Sequence, residues 1–329
     1  MAKKKKAEIT PQAPAAMGRV VKNTGSSYIV RLDSGVEIPC RIKGNFRIKG
    51  IRTTNPVAVG DIVSVVKAAD DADYITAIEP RKNYIIRRAS NLSKESHILA
   101  SNIDRALIVA TLRDPLTPLT FIDRFLATAE AYSVPAGIVL NKEDMWDDDD
   151  RQLADALLNL YSSIGYPLFF LSAATGEGIE VLREILTGKI TLLAGNSGVG
   201  KSSIINALVP DANLRTGAIS DIHHTGTHTT TFSEMINLPG GGAIIDIPGV
   251  RGFGTIDFAP EEVGHFFPDI FRFAKDCRYS DCKHTGEPGC AVIPAVENHY
   301  IAESRYNSYL SILEEASEEA GADKYRKPF

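Results

Sequence analysis

The sequence has only four cysteines and no long apolar segment. Three of the cysteines are crowded between Cys277 and Cys290, so we expect a metal site there and no disulfide framework. No apolar run approaches the roughly 20 residues that cross a bilayer. The lysines at positions 3–6 lead into a polar segment and not into the apolar stretch of a secretory signal. We therefore expect a cytoplasmic protein without a membrane partner.

Charge is unevenly distributed along the chain. Residues 1–53 contain twelve Lys and Arg against three Asp and Glu, a balance of +9, and because the whole chain has a formal charge of −5 the remainder is at −14. Basic segments bind phosphate backbones by releasing counterions, so we expect nucleic acid as a partner of the N-terminal part. A solvated basic tail with scattered surface charges is the alternative.

The 329 residues, of which 44% are hydrophobic, predict two or three globular domains with a sizeable core. Residues 1–16 lack periodicity and predict a disordered basic arm. About five short Val-, Ile- and Tyr-rich runs in residues 17–82 predict a five-stranded barrel of the oligonucleotide-binding (OB) type, although strand count alone does not separate it from other small barrels. Residues 83–100 predict a linker.

From residue 101 the pattern changes to alternating strands and helices, with apolar strands at 105–110 and 136–140 and a helix at 151–162. This alternation predicts an α/β domain with a mostly parallel sheet over residues 101–255. Residues 256–329 contain the crowded cysteines and end in a segment with helical spacing, so we expect a mainly helical C-terminal domain. The tyrosines and Arg305 of that last segment favour packing against the domain over contact with RNA.

One run matches the phosphate-binding pattern G-x-x-x-x-G-K-[ST]. Its residues are Gly195, Asn196, Ser197, Gly198, Val199, Gly200, Lys201, Ser202 and Ser203. It follows a predicted strand and precedes a predicted helix, which is the context that this loop requires. The glycines let backbone N–H groups converge on phosphate oxygens, while Lys201 reaches the terminal phosphates and the Ser202 hydroxyl reaches Mg²⁺. A glycine-rich turn without a ligand is the alternative.

A second polar motif follows a predicted strand that ends at Leu140. It consists of Asn141, Lys142, Glu143 and Asp144. The Asp144 carboxylate can accept hydrogen bonds from the ring N–H and the exocyclic amine of guanine, a pair that adenine lacks. Asn141 can contact the other purine edge, and the stem of Lys142 can cover the ring. A polar helix N-terminus is the alternative.

Two further segments complete the predicted nucleotide site. Ser172 and Ala173 follow the next predicted strand, and their backbone N–H groups can meet the guanine oxygen. Asp246 and Gly249 belong to the run Asp-Ile-Pro-Gly, which places a carboxylate near Mg²⁺ and a glycine amide near the last phosphate.

A cysteine and histidine cluster predicts a structural zinc site. Cys277, Cys282, His284 and Cys290 offer three thiolates and one imidazole, a complete tetrahedral set with no open position for chemistry. We expect Zn²⁺ binding to stabilise a small domain that has little core of its own. Catalytic zinc or a redox set of cysteines is the alternative.

The order of these motifs is unusual, because the guanine motifs precede the phosphate loop. With a barrel before it and a cysteine cluster after it, the sequence resembles the ribosome small subunit-dependent GTPase A (RsgA) family over residues 18–313. The resemblance implies an OB-type barrel, a circularly permuted α/β P-loop GTPase domain and a zinc-binding domain. It also implies a protein that binds GTP and GDP, acts on the small ribosomal subunit and its rRNA during late maturation, and hydrolyses GTP when bound there. We expect the protein to be a monomer.

Residues 217–232 have few apolar side chains and predict a switch loop. Many GTPases orient the attacking water with a glutamine at the position occupied here by Val250, so another group must do so. The imidazole of His228 could orient this water or accept its proton, and the resemblance implies a catalytic histidine there. The resemblance also places a Mg²⁺-reaching threonine in residues 229–231, of which we choose Thr230. Solvated histidines in a flexible Ser/Thr loop are the alternative.

Two other functions stay open at this point. The protein could be an ATPase, which Asp144 argues against. It could also be an RNA-binding assembly factor whose nucleotide site only regulates docking.

Overall fold

The computed structural model describes residues 16–24, 27–42, 56–68, 72–88, 96–214, 233–246 and 258–324. Their contacts divide them into two units. Unit 1 comprises residues 16–103, 233–236 and 245–246, and unit 2 comprises residues 104–214, 237–244 and 258–324. The predicted basic arm lies outside the described residues, except that Ala16 already belongs to a strand.

Unit 1 contains a five-stranded barrel. Its strands are β1 (Ala16–Asn23), β2 (Tyr28–Leu32), β3 (Glu37–Ile42), β4 (Ile62–Lys67) and β5 (Asp73–Ile78). The order β1-β2-β3-β5-β4 closes because β4 also pairs with β1. The pairing of β3 with β5 is parallel and the other pairings are antiparallel. The predicted N-terminal barrel is thus confirmed.

Alternating strand residues fill the interior of this barrel. Val20 of β1 pairs with Val30 of β2, and both are buried with Val63 and Ile75 in one apolar cluster. Cys40 belongs to the same cluster, and burial raises the pKa of its thiol to about 12. This thiol packs as a small apolar residue.

The segment predicted as a linker forms a hairpin. Its strands are β6 (Tyr84–Arg88) and β7 (Ser96–Ser101), which pair antiparallel. Buried Asp61 accepts hydrogen bonds at 2.6 Å from both Arg81 Nε and Ser101 Oγ, so the chain on either side of the hairpin is tied to the barrel unit. The sequence analysis did not predict this hairpin, because charged residues within 81–88 obscured a short strand. The predicted domain boundaries themselves stay predictions.

Unit 2 is built on a parallel sheet with helical connections. Its elements are β8 (Arg105–Ala110), α1 (Leu119–Ala131), β9 (Ala136–Leu140), α2 (Asp148–Ser163), β10 (Leu168–Phe170), α3 (Ile179–Leu186), β11 (Ile190–Ala194) and α4 (Lys201–Leu208). Two more strands follow, β12 (Glu234–Asn237) and β13 (Ala243–Asp246), of which residues 237 and 243–244 belong to unit 2 and the others to unit 1. The parallel order is β10-β9-β8-β11, and the N–H of Ala243 donates to Lys189 O beside the start of β11.

Burial explains why these strands are continuous apolar runs. All residues of 106–110 in β8 are fully buried, as expected for parallel strands covered on both faces. Because the strands are parallel, their carboxyl ends lie at one edge of the sheet. That edge presents the segments that follow Ala110, Leu140, Phe170 and Ala194.

The acidic run 147–150 begins a helix. Asp147 Oδ1 accepts from the N–H of Asp150, and Asp150 Oδ2 accepts from the N–H of Asp147, which is a reciprocal capping box. The sequence analysis began the helix at residue 151. Two acidic residues three positions apart, followed by an apolar run, are the sequence pattern that predicts this earlier start of the helix.

The C-terminal part of unit 2 is helical. Its elements are a 3-10 helix (Val263–Phe266), α5 (Pro268–Ala274), α6 (Val292–Glu297) and α7 (Glu303–Lys324). Phe267, Ile270, Tyr309 and Ile312 form its core together with Ala127 of α1. Among the described helices none combines the length and apolar character needed to cross a membrane.

A buried ionic cluster lies between α1, α5 and α7. Arg305, whose side chain is 1% exposed, donates to Asp269 Oδ1 and to Asp123 Oδ1 at 2.8 Å each. Tyr161 donates to the same Asp123 oxygen at 2.9 Å, and the guanidinium lies 4.6 Å from the Phe267 ring centroid. Arg305 is therefore a packing residue and is not available for RNA contact.

Candidate nucleotide and metal sites

The predicted phosphate loop, residues 195–203, lies at the carboxyl end of β11. Gly195, Gly198 and Gly200 have φ values of +149°, +85° and +94°. A Cβ atom on Gly195 would lie 2.5 Å from Val109 O, and one on Gly200 would lie 2.2 Å from Asn141 Nδ2. Only glycine fits at these two positions, because both the backbone angle and the space exclude a side chain.

Lys201 is the first residue of α4, and its ammonium folds over the loop. Its Nζ donates to Gly195 O at 2.6 Å and to Asn196 O at 2.8 Å. Ser202 and Ser203 are half-buried in the first turn of α4, where backbone N–H groups have no partner within the helix. The loop therefore combines a fixed ammonium with a helix N-terminus, which is an arrangement that binds phosphate.

Asn141 connects the two predicted motifs. It follows β9, is 2% exposed, and donates from Nδ2 to Val199 O of the phosphate loop at 2.8 Å. Its Oδ1 accepts from the N–H of Ala173 at 3.1 Å. Two segments about 30 and 60 residues away in sequence are thus held by one side-chain amide. Nδ2 has a second hydrogen, which is the one it can offer to a purine.

The Asp144 side chain is exposed, and a hydrogen bond from a buried serine orients its carboxylate. Ser172, which is fully buried, donates from Oγ to Asp144 Oδ1, and the same Oγ accepts from the N–H of Thr175 at 3.1 Å. The sequence predicted that the N–H groups of Ser172 and Ala173 would meet a guanine oxygen. In the structure the Ser172 N–H donates to Glu177 O and the Ala173 N–H donates to Asn141 Oδ1, so both residues also connect segments of the site.

Lys142 and Glu143 are half-buried beside the loop that follows β8, residues 111–118. Lys142 has a left-handed backbone with φ of +69°, and its Nζ donates to Asp114 O. Glu143 donates its backbone N–H to Leu171 O at 3.2 Å.

The sequence analysis missed the loop at 111–118. Arg113 of this loop pairs with Asp147 at 2.6 Å and also with Asp150. The Asp150 N–H and then Arg113 lower the pKa of Asp147. The sequence already placed this loop at the site, because any segment that follows a parallel strand begins at the carboxyl edge of the sheet.

The remaining predicted nucleotide residues fall into two groups. Asn196, Ser197, Gly198 and Val199 are parts of the phosphate loop, and Val199 is buried. Asp246 is the half-buried last residue of β13. The predicted His228, Thr230 and Gly249 lie outside the described residues.

The four predicted metal ligands are brought together. One ligand atom from each of Cys277, Cys282, His284 and Cys290 lies within 4.8 Å of all the others. His284 Nδ1 is 3.5 Å from Cys277 Sγ and 3.6 Å from Cys290 Sγ. Such separations are the tetrahedron edges expected when bonds of about 2.0 to 2.3 Å meet at one ion. The donor set therefore fits zinc.

The surrounding groups support metal ligation. Burial raises the pKa of the Cys282 thiol to about 12, so a thiolate there needs a cation beside it, and burial lowers the pKa of His284, which keeps the imidazole neutral. Burial opposes ionisation of Glu287, but backbone N–H donors, including those of Thr285 and Lys283, outweigh it and lower its pKa to about 2. Its carboxylate thereby holds the loop between two ligands in shape.

Fold and site together define a class: a phosphate-loop GTPase whose guanine motifs come before the phosphate loop in the chain, that is, a circularly permuted GTPase. Two family models match, the RsgA N-terminal domain over residues 17–75 and the RsgA GTPase over residues 78–256. The chain belongs to the RsgA GTPase family.

Relatives and solved structures agree with this assignment. The chain is 56% identical to the small ribosomal subunit biogenesis GTPase RsgA of Bacteroides fragilis strain YCH46, covering 95% of this chain and 99% of that protein. It is 58% identical to the protein of the same name from Porphyromonas gingivalis strain ATCC 33277, with the same coverage. YjeQ from Thermotoga maritima superimposes with a TM-score of 0.73 at 34% identity, over 92% of this chain and 98% of that one. YloQ, described as a circularly permuted GTPase, gives 0.70 at 28% identity, over 98% and 100%.

Proposed function

We propose that this GTPase acts in the maturation of the small ribosomal subunit and hydrolyses GTP when bound to the subunit and its rRNA. Relatives with more than 55% identity over nearly their whole length have names that state small ribosomal subunit biogenesis. The observation that carries the nucleotide part is the contact of Asn141 with Val199 and Ala173, because it joins the base-recognition segments to the phosphate loop. The protein would act as a monomer in the cytoplasm, where its proposed partner is assembled.

The residues that recognise the base and the phosphates have separate proposed roles. Asp144, held by Ser172, accepts the two guanine N–H groups, while the Lys142 stem covers the base. The backbone N–H groups of 195–203 bind phosphate oxygens, and Lys201 exchanges its loop carbonyls for the terminal phosphates. Asn141 and Ala173 position these segments.

Mg²⁺ and the water that attacks GTP complete the proposed site. Ser202 and Thr230 would hold Mg²⁺, with Asp246 nearby and the Gly249 N–H on the last phosphate. Mg²⁺ supplies charge neutralisation at the transferred phosphate. His228 would orient the attacking water, since Val250 has no hydrogen-bonding group.

We propose that the metal at the cysteine cluster is zinc and that it is structural. All four ligand positions are filled by Cys277, Cys282, His284 and Cys290, which leaves no site for a water or substrate. Zinc would then contribute folding free energy to the C-terminal part of unit 2.

Turnover of GTP with and without purified small ribosomal subunits tests this function. The wild-type protein should hydrolyse GTP slowly alone and faster with subunits. His228→Ala should bind a fluorescent GDP analogue normally and lose most of the stimulated rate, because only the water loses its partner. An unchanged stimulated rate in the variant would remove His228 from the mechanism, and absence of stimulation in the wild type would remove the subunit as activator.

A further inference from the structure

Asp144 lies on a single turn of 3-10 helix, Glu143–Met145. One such turn has few hydrogen bonds of its own, so the position of the Asp144 carboxylate depends on what holds the two ends of the turn. The residue before the turn is Lys142, whose Nζ donates to Asp114 O in the loop 111–118. This loop therefore holds the start of the turn.

The chain after the turn is held by Arg113, the neighbour of Asp114 in the same loop. Arg113 Nη2 donates to Asp147 Oδ2 at 2.6 Å, and the guanidinium also pairs with Asp150. These two carboxylates form the capping box that begins α2. Two adjacent loop residues thus contact the chain on both sides of Asp144.

The loop 111–118 is itself fixed in shape. Thr111 and Thr117 are both buried, and the N–H of Thr111 donates to Thr117 Oγ1 at 3.0 Å while the N–H of Thr117 donates to Thr111 O at 2.9 Å. Thr111 Oγ1 also donates to Pro115 O at 2.5 Å. The loop joins β8 to α1, and both elements contribute buried residues to unit 2. It can therefore hold another segment in place.

We infer that Arg113 is a positioning residue for guanine recognition, acting through Asp147 on the carboxylate of Asp144. The Arg113 and Asp147 side chains are 39% and 56% exposed, and ion pairs this exposed contribute little to stability. The effect of Arg113 is therefore on the choice of base and not on folding. This role rests on the proposed function, in which Asp144 accepts two hydrogen bonds from guanine.

Affinities for GDP and IDP test this inference, measured by displacement of a fluorescent GDP analogue from the full zinc-loaded chain. IDP lacks the exocyclic amine of guanine, so Asp144 can accept only one hydrogen bond from its base. The wild type should therefore bind GDP about tenfold or more tightly than IDP. In Arg113→Ala this ratio of affinities should fall by about threefold or more, because a displaced carboxylate loses the second bond.

The same substitution in an Asp144→Ala background separates positioning from stability. Without the carboxylate, Arg113→Ala should leave the ratio of GDP to IDP affinity unchanged. Melting temperature and the emission of Trp146, the single tryptophan of the chain, show whether each variant is folded. If Arg113→Ala does not fold, Asp147→Asn decides, because its amide oxygen can still cap α2 while the charge that pairs with Arg113 is lost. Its ratio should fall as well.

Arg124→Ala is the matched control, because Arg124 donates to Glu315 at 2.6 Å in another arginine–carboxylate pair of unit 2, between α1 and α7. Its ratio of affinities should equal that of the wild type. An unchanged ratio in folded Arg113→Ala would overturn the inference. So would an equal fall in Arg124→Ala, or a further fall when Arg113→Ala is added to Asp144→Ala.

The same measurements distinguish this role from the guanine site itself. A wild type that binds GDP and IDP equally, or an Asp144→Ala variant that keeps the preference for GDP, would remove the proposed guanine contacts and the role of Arg113 with them. A wild-type preference that depends on Asp144 and persists in Arg113→Ala would remove the role of Arg113 alone.

Discussion

Asn141 has a role beyond the one that its motif suggests. The motif places it at the base, but its buried amide also bridges the backbones of Val199 and Ala173. A side chain that hydrogen-bonds the backbones of two segments fixes the distance between them. At the residue scale, the swapped order of the motifs is therefore tolerated because the contacts between them do not depend on chain order.

Replacing Asn141 with alanine should weaken binding of a fluorescent GDP analogue by about tenfold or more, because the buried Val199 carbonyl loses its partner at about 1 to 3 kcal/mol and the partly buried Ala173 N–H loses its partner too. A fluorescence titration measures this loss. Asn206→Ala is the matched control, since the Asn206 amide makes the same pair of bonds to the backbone of Leu214 at the other end of α4. Equal losses of affinity in the two variants would contradict the proposed positioning role.

Arg305 is the second residue for which we predict a specific effect of substitution, here on the free energy of unfolding. Arg305→Met leaves the carboxylates of Asp123 and Asp269 buried without their cation, so the free energy of unfolding should fall by about 3 to 5 kcal/mol. Glu315→Gln breaks an ion pair between the same helices, but Glu315 is 49% exposed, so it should cost about 0 to 1 kcal/mol. Urea denaturation measures both changes.

The loss of unfolding free energy caused by Arg305→Met should depend on pH. Burial already raises the pKa of Asp123, even though Arg305 opposes it, and loss of the cation raises this pKa further. A carboxyl whose folded pKa is raised destabilises the fold as pH rises above its unfolded value of about 4. The difference from the wild type should therefore be largest at neutral pH and shrink toward pH 4. A difference that is constant with pH would contradict the buried-charge explanation.

At the scale of elements, apolar runs predicted the structure best. The strands at 105–110 and 136–140 were predicted at their observed bounds, because parallel strands buried on both faces are nearly all apolar. The hairpin of β6 and β7 was missed because a two-stranded ribbon with charged residues has no such run. The start of α2 was missed because its capping residues are all aspartates, which resemble a surface turn.

The metal cluster was predicted from spacing alone, since sulfur and imidazole ligands must lie close in sequence when a small loop surrounds an ion. Contacts that arise only from three-dimensional packing were not predicted. The pairing of Arg113 with Asp147 and the bond from Lys142 to Asp114 join residues that are distant in sequence. No local pattern marks such pairs before the sheet order is known.

Cys282→Ser should remove bound zinc and unfold the C-terminal part of unit 2, because the free energy of zinc binding contributes to the folding free energy of that part. Metal analysis should find one zinc per wild-type chain, and circular dichroism should show lost helix in the variant. Cys40→Ser is the control, since Cys40 lies in the barrel core of unit 1 and should leave the zinc content unchanged. A fully folded Cys282→Ser protein would refute a structural role for the metal.

At the scale of the whole molecule, one sheet edge collects motifs from both halves of the GTPase segment. The strand that precedes Asn141 and the strand that precedes Gly195 both pair with β8, so their carboxyl ends lie one strand apart on either side. The position of a motif in the sheet is thus independent of its position in the chain, provided that each strand keeps its neighbours. The RsgA family assignment and the permuted order describe the same arrangement.

Competition of nucleotides for the site, measured with wild-type protein and Asp144→Asn, tests the central claim that these motifs form one guanine nucleotide pocket. In the wild type, GTP should displace a fluorescent GDP analogue, and ATP and XTP should be weaker by about a hundredfold or more. In the variant an amide can donate to the 2-oxo group of xanthine, and its oxygen can still accept from Ser172, so XTP should replace GTP as the preferred ligand. A variant that keeps the preference for GTP would contradict the claim.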